Sequence, residues 1–346
     1  MLMKKFYLLI AAIITFSFLF ASCQKENVPA TISDDVQIEQ QEVVDPVQKE
    51  IDLFFEKYVE SDERPIAIMV DNDNKDARPH AGLDEAYLIY EMIIEGGSTR
   101  FMAVYKNADT EKIGPIRSSR HYFLDYVMEN DAIYTHFGWS PKAMQDISQF
   151  KINKINGVLG SDEDIFWREK KYKGDWHSAY TSIENILEMA QTKKYKSVTE
   201  HKNSIEYSDT YIDINPENIA SEINMKYSYK YTTGYSYNAE KGTYEKSIDN
   251  EPHIMQNGNV LEVKNIIVQF IADTALGDNS DRRNIDTTGS GKGYYFTNGA
   301  YEEIIWSKDA RNKNTVYKKA DGTQLLLNPG KTIINIISPS ADITIS

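Results

Sequence analysis

Cysteine is all but absent: the 346-residue chain has one, Cys23. No internal disulfide can staple the fold, and no cysteine cluster can hold zinc. Histidine is scarce too, with six in all, and no two stand four apart, the spacing that turns both rings of a helix toward one metal. A phosphate loop is missing, because Gly289, Ser290, Gly291, Lys292, Gly293 lacks both the leading glycine and the closing hydroxyl; that run reads as a turn between strands. No Gly-x-Ser-x-Gly elbow occurs, and Ser148 with Lys151 is a short string that chance produces often, so no serine nucleophile is assigned. Asp71, Asn72, Asp73, Asn74 begins like a calcium loop. Lys75 and Asp76 then stand where an acceptor and the glycine belong, and Gly82 replaces the closing Glu. A calcium-hand loop is excluded, a weaker divalent site using Asp71 stays open, and no other cofactor is implied.

Positive charge is also in short supply. With 38 Lys and Arg against 52 Asp and Glu, the net charge is -14, which disfavours nucleic acid and anionic lipid surfaces as broad electrostatic partners. No apolar run is long enough to span a bilayer. The one from Phe6 to Phe20 falls short of the ~20 residues a spanning helix needs. Preceded by Lys4 and Lys5 and followed by Ala21, Ser22 and Cys23, it reads as a signal peptide over residues 1–22. Cys23 sits where a lipobox places its acylated cysteine, with Phe20 departing from the usual aliphatic residue. Lipid at Cys23 would anchor the mature chain on the extracytoplasmic face of a bacterial membrane. Gln24 is not the Asp that signals inner-membrane retention, so the outer membrane is open to it if the source has two.

What is present divides along the chain. Residues 24–45 are polar and acidic, a spacer, and Val47, Ile51, Phe54, Phe55 and Tyr58 at helical spacing predict a helix. Ile66 to Val70 reads as a buried strand. Tyr87 to Ile94 and Thr99 to Tyr105, joined by Glu95, Gly96, Gly97 and Ser98, predict a hairpin. Alternation puts Ile89, Glu91 and Ile93 on one face and Tyr90, Met92 and Ile94 on the other. After Pro115 a helix is expected with Ser118 or Ser119 as N-cap. Ala132 to His136 reads as a strand and Ser140-Pro141 as a helix start; Thr181 and Glu184 stand at capping-box spacing. Beyond residue 224, alternating tyrosines and glycine turns predict antiparallel strands, including Val260–Ile271 and Thr332–Ile337. The expected class is α+β: a mixed α/β domain over residues 60–200, a connector over 201–224, and a smaller, mostly antiparallel β domain over 225–340.

The scarce cations cluster. Arg78, Arg100, Arg117 and Arg120, with Ser118, surround the glycine turns and the expected helix start, together with Asp71, Glu91, Glu95, His136 and His177. One reading is a cleft in which the arginines hold a phosphate, pyrophosphate or carboxylate while an acid binds metal or moves a proton. The other is a closed lattice in which they pair Glu91, Glu95 and Asp84.

Arg64-Pro65, Arg78-Pro79 with Gly82-Leu83, Tyr90-Glu91, Glu95-Gly96-Gly97, Thr99-Arg100-Phe101, Ile113 to Ser118, Arg120, and His136 with Ser140-Pro141 together resemble the YerB-like bacterial lipoproteins. In the second half Gly289 to Lys292, Trp306, Arg311, Leu327 to Gly330 and Thr332 resemble that family's C-terminal domain. The resemblance spans about residues 60–340 and implies a two-domain extracytoplasmic body behind a lipid anchor. It implies no catalytic residues, since the family is a domain of unknown function. Phe137 and Trp139 flank Gly138 where smaller residues are usual, which narrows any pocket beside His136. The function read from these features is binding of an anionic envelope component, with Arg100, Arg117 and Arg120 as the clamp and Glu91 orienting them. A metal-assisted envelope phosphotransferase or hydrolase and a protein scaffold using the tyrosine-rich strands are the alternatives.

Overall fold

A computed structural model of the chain describes residues 45–346; the expected signal peptide, Cys23 and the expected spacer through residue 44 lie outside the described residues. Helix α1, Pro46–Phe54, starts where Asp45 accepts a hydrogen bond from the Val47 amide, and it runs on into a π-helical turn, Phe55–Glu60.

The centre is a ten-stranded sheet to which both halves of the chain contribute. From the first half come β1 (Ile66–Asn72), β2 (Leu88–Ile93), β3 (Thr99–Tyr105), β4 (Ile133–His136) and β5 (Lys154–Asn156). The second half first adds β6 (Glu222–Ser228), β7 (Tyr231–Asn238) and β8 (Thr243–Ile248), which form a smaller sheet. It then returns with β9 (Asn265–Phe270), β10 (Gly289–Thr297), β11 (Ala300–Lys308), β12 (Val316–Lys319) and β13 (Thr332–Ile337), and ends on β14 (Asp342–Ile345). The large sheet is ordered β12-β11-β10-β9-β13-β2-β3-β1-β4-β5, and the small one carries β8-β7-β6-β14. Strand β13 lies parallel to both β2 and β9, so the last apolar strand joins the two halves into one sheet. The first half is mixed α/β and the second mostly antiparallel β.

Both faces of the large sheet are covered, which is why its strands read as continuous apolar runs. Ile66, Ile68, Val70, Ile89 and Phe101 face a core shared with the small sheet and helix α4, Ile183–Thr192. Ala67, Met69, Tyr90, Met92 and Met102 face the opposite core, shared with helices α2, Leu124–Glu129, and α3, Pro141–Gln149.

Three local expectations change. Residues after Pro115 are extended rather than helical: Ile116 bridges Val70 and Ser119 bridges Trp139. The helical turn begins only at His121, behind Arg120, with no side-chain cap. Both serines that suited a cap are used elsewhere, Ser118 donating to the Phe137 carbonyl and Ser119 accepting from Tyr134. The cap of α4 is Ser182, whose hydroxyl accepts from Asn185, while Thr181 donates to the Ile165 carbonyl. The glycine run at 289–293 is no turn but the start of β10. Gly291 pairs with Trp306, and a Cβ there would lie 2.8 Å from the indole nitrogen, while one at Gly293 would collide with the Val268 carbonyl oxygen.

Candidate functional site

The register of the central strands decides which charges meet. Asp71 at the end of β1 pairs with Arg100 of β3, and Arg100 in turn with Met92 of β2. Glu91 pairs with Phe101 and therefore projects from the opposite face. Glu91 accordingly does not orient the arginines. Its carboxylate accepts from Lys246 at 2.9 Å, Tyr231 at 2.6 Å and Thr99 at 2.8 Å, and Lys246 also contacts Thr233. Arg78 belongs to this face as well, donating to Asn72, which in turn donates to Thr99 and Tyr231.

On the other face Arg120 is closed. Its guanidinium grips Glu95 through Nε at 2.6 Å and Nη2 at 2.9 Å, a bidentate pair. Burial raises the Glu95 carboxyl, but the Arg120 hydrogen bond and charge outweigh it and hold the carboxyl below its ordinary value. Asp84 meets none of the arginines; it accepts from Asn257 and its carbonyl from Lys331.

What remains open is Asp71 with Arg100 and Arg117. Asp71 is fully buried; its Oδ2 lies 2.6 Å from His177 Nδ1 and 3.1 Å from Arg117 Nε. Burial pushes its carboxyl up, yet the His177 hydrogen bond and the charges of Arg100 and Arg117 leave it below the usual range. Arg117 is close enough for an ion pair but badly angled: its buried Nε has no hydrogen-bond partner among the described residues. Arg100 is 1% exposed, donates from Nη1 to the Ser118 carbonyl at 2.6 Å, and has a buried Nε likewise without a partner. Burial, then the charges of Arg120 and Arg117, push its guanidinium down to about 10 against the pull of Asp71. Two under-satisfied guanidinium groups thus flank one carboxylate, a costly arrangement unless another anion completes it.

His136 flanks this group without joining it. Its Nδ1 lies 2.7 Å from the Gly138 carbonyl, the Trp139 ring is stacked at a tilt 5.6 Å away, and burial pushes it down to about 4. Gly138, at φ 86°, lets the chain pass close to Ser118, where a Cβ would stand 2.9 Å from the hydroxyl oxygen. Phe137 instead carries the Arg168 guanidinium, 4.3 Å from its ring centroid. As for a cation at Asp71, the described residues bring no three His, Cys, Asp or Glu side chains together as a metal site.

Sequence reasoning missed Trp176, Asp175 and Arg168. The Trp176 indole donates to His177 Nε2 at 2.7 Å, its ring lies 5.7 Å from the Arg117 guanidinium carbon, and Asp175 accepts from the His177 amide. Asp175-Trp176-His177 is itself the signal, an acid and an aromatic bracketing a histidine. Another opening, a cavity of about 560 Å³ beside Phe270, Lys292, Tyr294 and Trp306, lies on the second-half strands.

Residues 56–196 match the N-terminal domain, and residues 223–334 the C-terminal domain, of the protein family of unknown function DUF3048. The chain belongs to this family. It is similar to a protein of Bacillus subtilis strain 168 named "Putative lipoprotein YerB", 32% identical over 289 residues that cover 80% of this chain and 82% of the relative. The crystal structure of the YerB protein from Bacillus subtilis superposes with a TM-score of 0.71 at 30% identity, covering 82% of this chain and 94% of that one. The fold of this DUF3048 member is therefore the YerB fold, an α/β first half followed by antiparallel β. None of its described helices is long and apolar enough to cross a membrane.

Proposed function

We propose that this protein is a lipid-anchored extracytoplasmic lipoprotein that binds an anionic component of the cell envelope at Arg100 and Arg117, beside the Asp71–His177 pair, with Ser118 holding Arg100 through its carbonyl and committing its hydroxyl to Phe137. The observation that carries the reading is Arg100: a guanidinium 1% exposed, bound to a single backbone carbonyl, with its Nε unpartnered. Arg120 is the contrast, with its guanidinium closed on the Glu95 carboxylate. The acidic character of the rest of the chain supports a confined anion site rather than a broad basic surface. Arg78 and Arg120, engaged with Asn72 and Glu95, shape the surroundings and do not serve as the clamp.

Arg117→Ala should reduce retention of the full chain on immobilised anionic cell-wall glycopolymer at least tenfold, with an unchanged circular dichroism spectrum. Arg100→Met should do the same and stay folded, because the buried Asp71 carboxylate keeps His177 and Arg117 as partners. Retention should also fall with added salt, as a partly exposed ion contact requires. Retention that both variants leave intact overturns the reading.

Anchoring rests on Cys23 at the end of the signal peptide and on the name of the B. subtilis relative. Labelled palmitate should be incorporated by the expressed chain. Cys23→Ala should abolish that label and move the protein from the detergent phase to the aqueous phase; label persisting in the variant sinks the assignment.

A further inference from the structure

We infer that the ligand of this site is an anion carrying a neighbouring hydroxyl, the chemistry of an acidic carbohydrate, and that Trp176 holds the hydroxyl's place until the ligand arrives. The inference rests on the anion reading above and specifies its ligand.

The donor and acceptor roles are fixed by elimination. An ionised carboxylate only accepts, so His177 Nδ1, 2.6 Å from Asp71 Oδ2, carries the ring hydrogen. His177 Nε2 then presents a lone pair. An indole nitrogen only donates, and Trp176 Nε1 at 2.7 Å meets that lone pair. The ring is thus a neutral acceptor, held in one tautomer by Asp71 and only 1% exposed.

The group that satisfies it is poorly anchored. Trp176 is 63% exposed, unusual for the side chain with most to gain from burial. Its indole covers His177 Nε2 and also rests against Arg117, 5.7 Å from the guanidinium carbon. Arg117 makes no side-chain hydrogen bond to any described residue, and its Nε is buried without a partner. Swinging the indole outward therefore uncovers two complementary needs side by side: a cation short of an oxygen acceptor and a nitrogen short of a donor.

A carboxylate or a dianionic phosphate ester satisfies Arg117 but has no hydrogen to give His177 in place of the indole N–H, and a neutral sugar gives His177 a donor but offers Arg117 only uncharged acceptors. A uronate or a sugar phosphate supplies both from one small molecule. The hydroxyl replaces the indole hydrogen bond at similar strength, and the anionic oxygens take the guanidinium in charge-assisted bonds. The released indole then offers a flat apolar face to the sugar ring.

The test uses the full chain in detergent with tryptophan indole nitrogens labelled. Four tryptophans give four indole N–H signals, and Trp176→Phe assigns the one at issue. Glucuronate and glucose 1-phosphate are the probes for the two anion sources, with acetate, methyl phosphate and glucose as partial ligands. The acidic sugars should shift the Trp176 signal and bind at least tenfold more tightly than any partial ligand. His177→Phe should erase that preference, so that the acidic sugars bind no more tightly than acetate or methyl phosphate. Trp176→Phe, which removes the competing donor but keeps a ring, should bind the acidic sugars as well as or better than the parent chain. If acidic sugars and hydroxyl-free anions bind equally, all of them through Arg117, the inference falls and the anion reading stands. If no probe binds in an Arg117-dependent way, both fall.

Discussion

Replacing Lys246 with methionine is expected to destabilise the folded body by about 3–5 kcal/mol, the cost of removing one partner of a buried ion pair and stranding the other. Neither side chain of the Lys246–Glu91 pair is exposed. Burial disfavours the charged ammonium, yet Glu91, with Tyr235 beside it, leaves Lys246 above its ordinary value. The pair also spans layers: Glu91 sits on central strand β2 and Lys246 on β8 of the small sheet, and Tyr227 adds a bond from β6 to the Glu91 carbonyl. Urea denaturation should show the midpoint falling with the slope unchanged, and the thermal midpoint should drop on the order of 10 °C. The double variant Lys246→Met, Glu91→Gln removes both charges and keeps an acceptor for Tyr231 and Thr99, so it should recover most of the loss. A single-variant loss below about 1 kcal/mol, the range of exposed pairs, would rule out this role for the bridge.

That bridge shows how far the sequence could be read. Strand alternation correctly separated Glu91 from Tyr90 and Met92, and the glycine turn at 96–97 announced the hairpin. Carrying the register across the turn would have set Arg100 opposite Met92 and so on the face away from Glu91. The signal was present, and grouping charges by sequence proximity obscured it. Alternation puts Lys246 on the face of Tyr244 and Ile248, but nothing local names its partner, 155 residues away. Asp71 and His177, 106 residues apart, meet only through tertiary folding. The parallel insertion of β13 between β2 and β9 is equally silent, since period and composition identify a strand but not its neighbours. The failures after Pro115 and at Thr181 have a simpler cause: a hydroxyl suited to a cap has other acceptors available once strands are nearby.

Acid should unfold this protein from a higher pH than carboxylate titration alone would set. Burial keeps His80 and His136 neutral down to about pH 4, and burial together with the His80 charge pushes His253 further down. Two of these rings form a chain. His80 Nε2 lies 2.6 Å from the Asp71 carbonyl, which fixes its hydrogen there, so Nδ1 accepts from His253 Nε2 at 2.8 Å. His253 Nδ1 is left buried without a partner. A proton on His80 Nδ1 would set two N–H groups face to face, with Arg78, Lys171 and Lys246 adding like charge around the pair. In the unfolded chain all three rings protonate near 6.5. Between pH 6.5 and 4 the unfolded state therefore binds more protons, and stability falls as pH falls. Asp125 opposes this, because burial raises its carboxyl to about 6 and the folded state takes up that proton first. His121, also pushed down by burial, adds to the loss, so the net is at least about two protons, or ~3 kcal/mol per pH unit near pH 5. Urea midpoints at pH 7.5, 6.5, 5.5 and 4.5 should stay level above 6.5 and then decline steeply, and His136→Asn should lower the slope by one proton's worth. Constant stability from pH 6.5 to 4.5 would mean that the buried rings are already charged in the folded protein, or that they are reached by water.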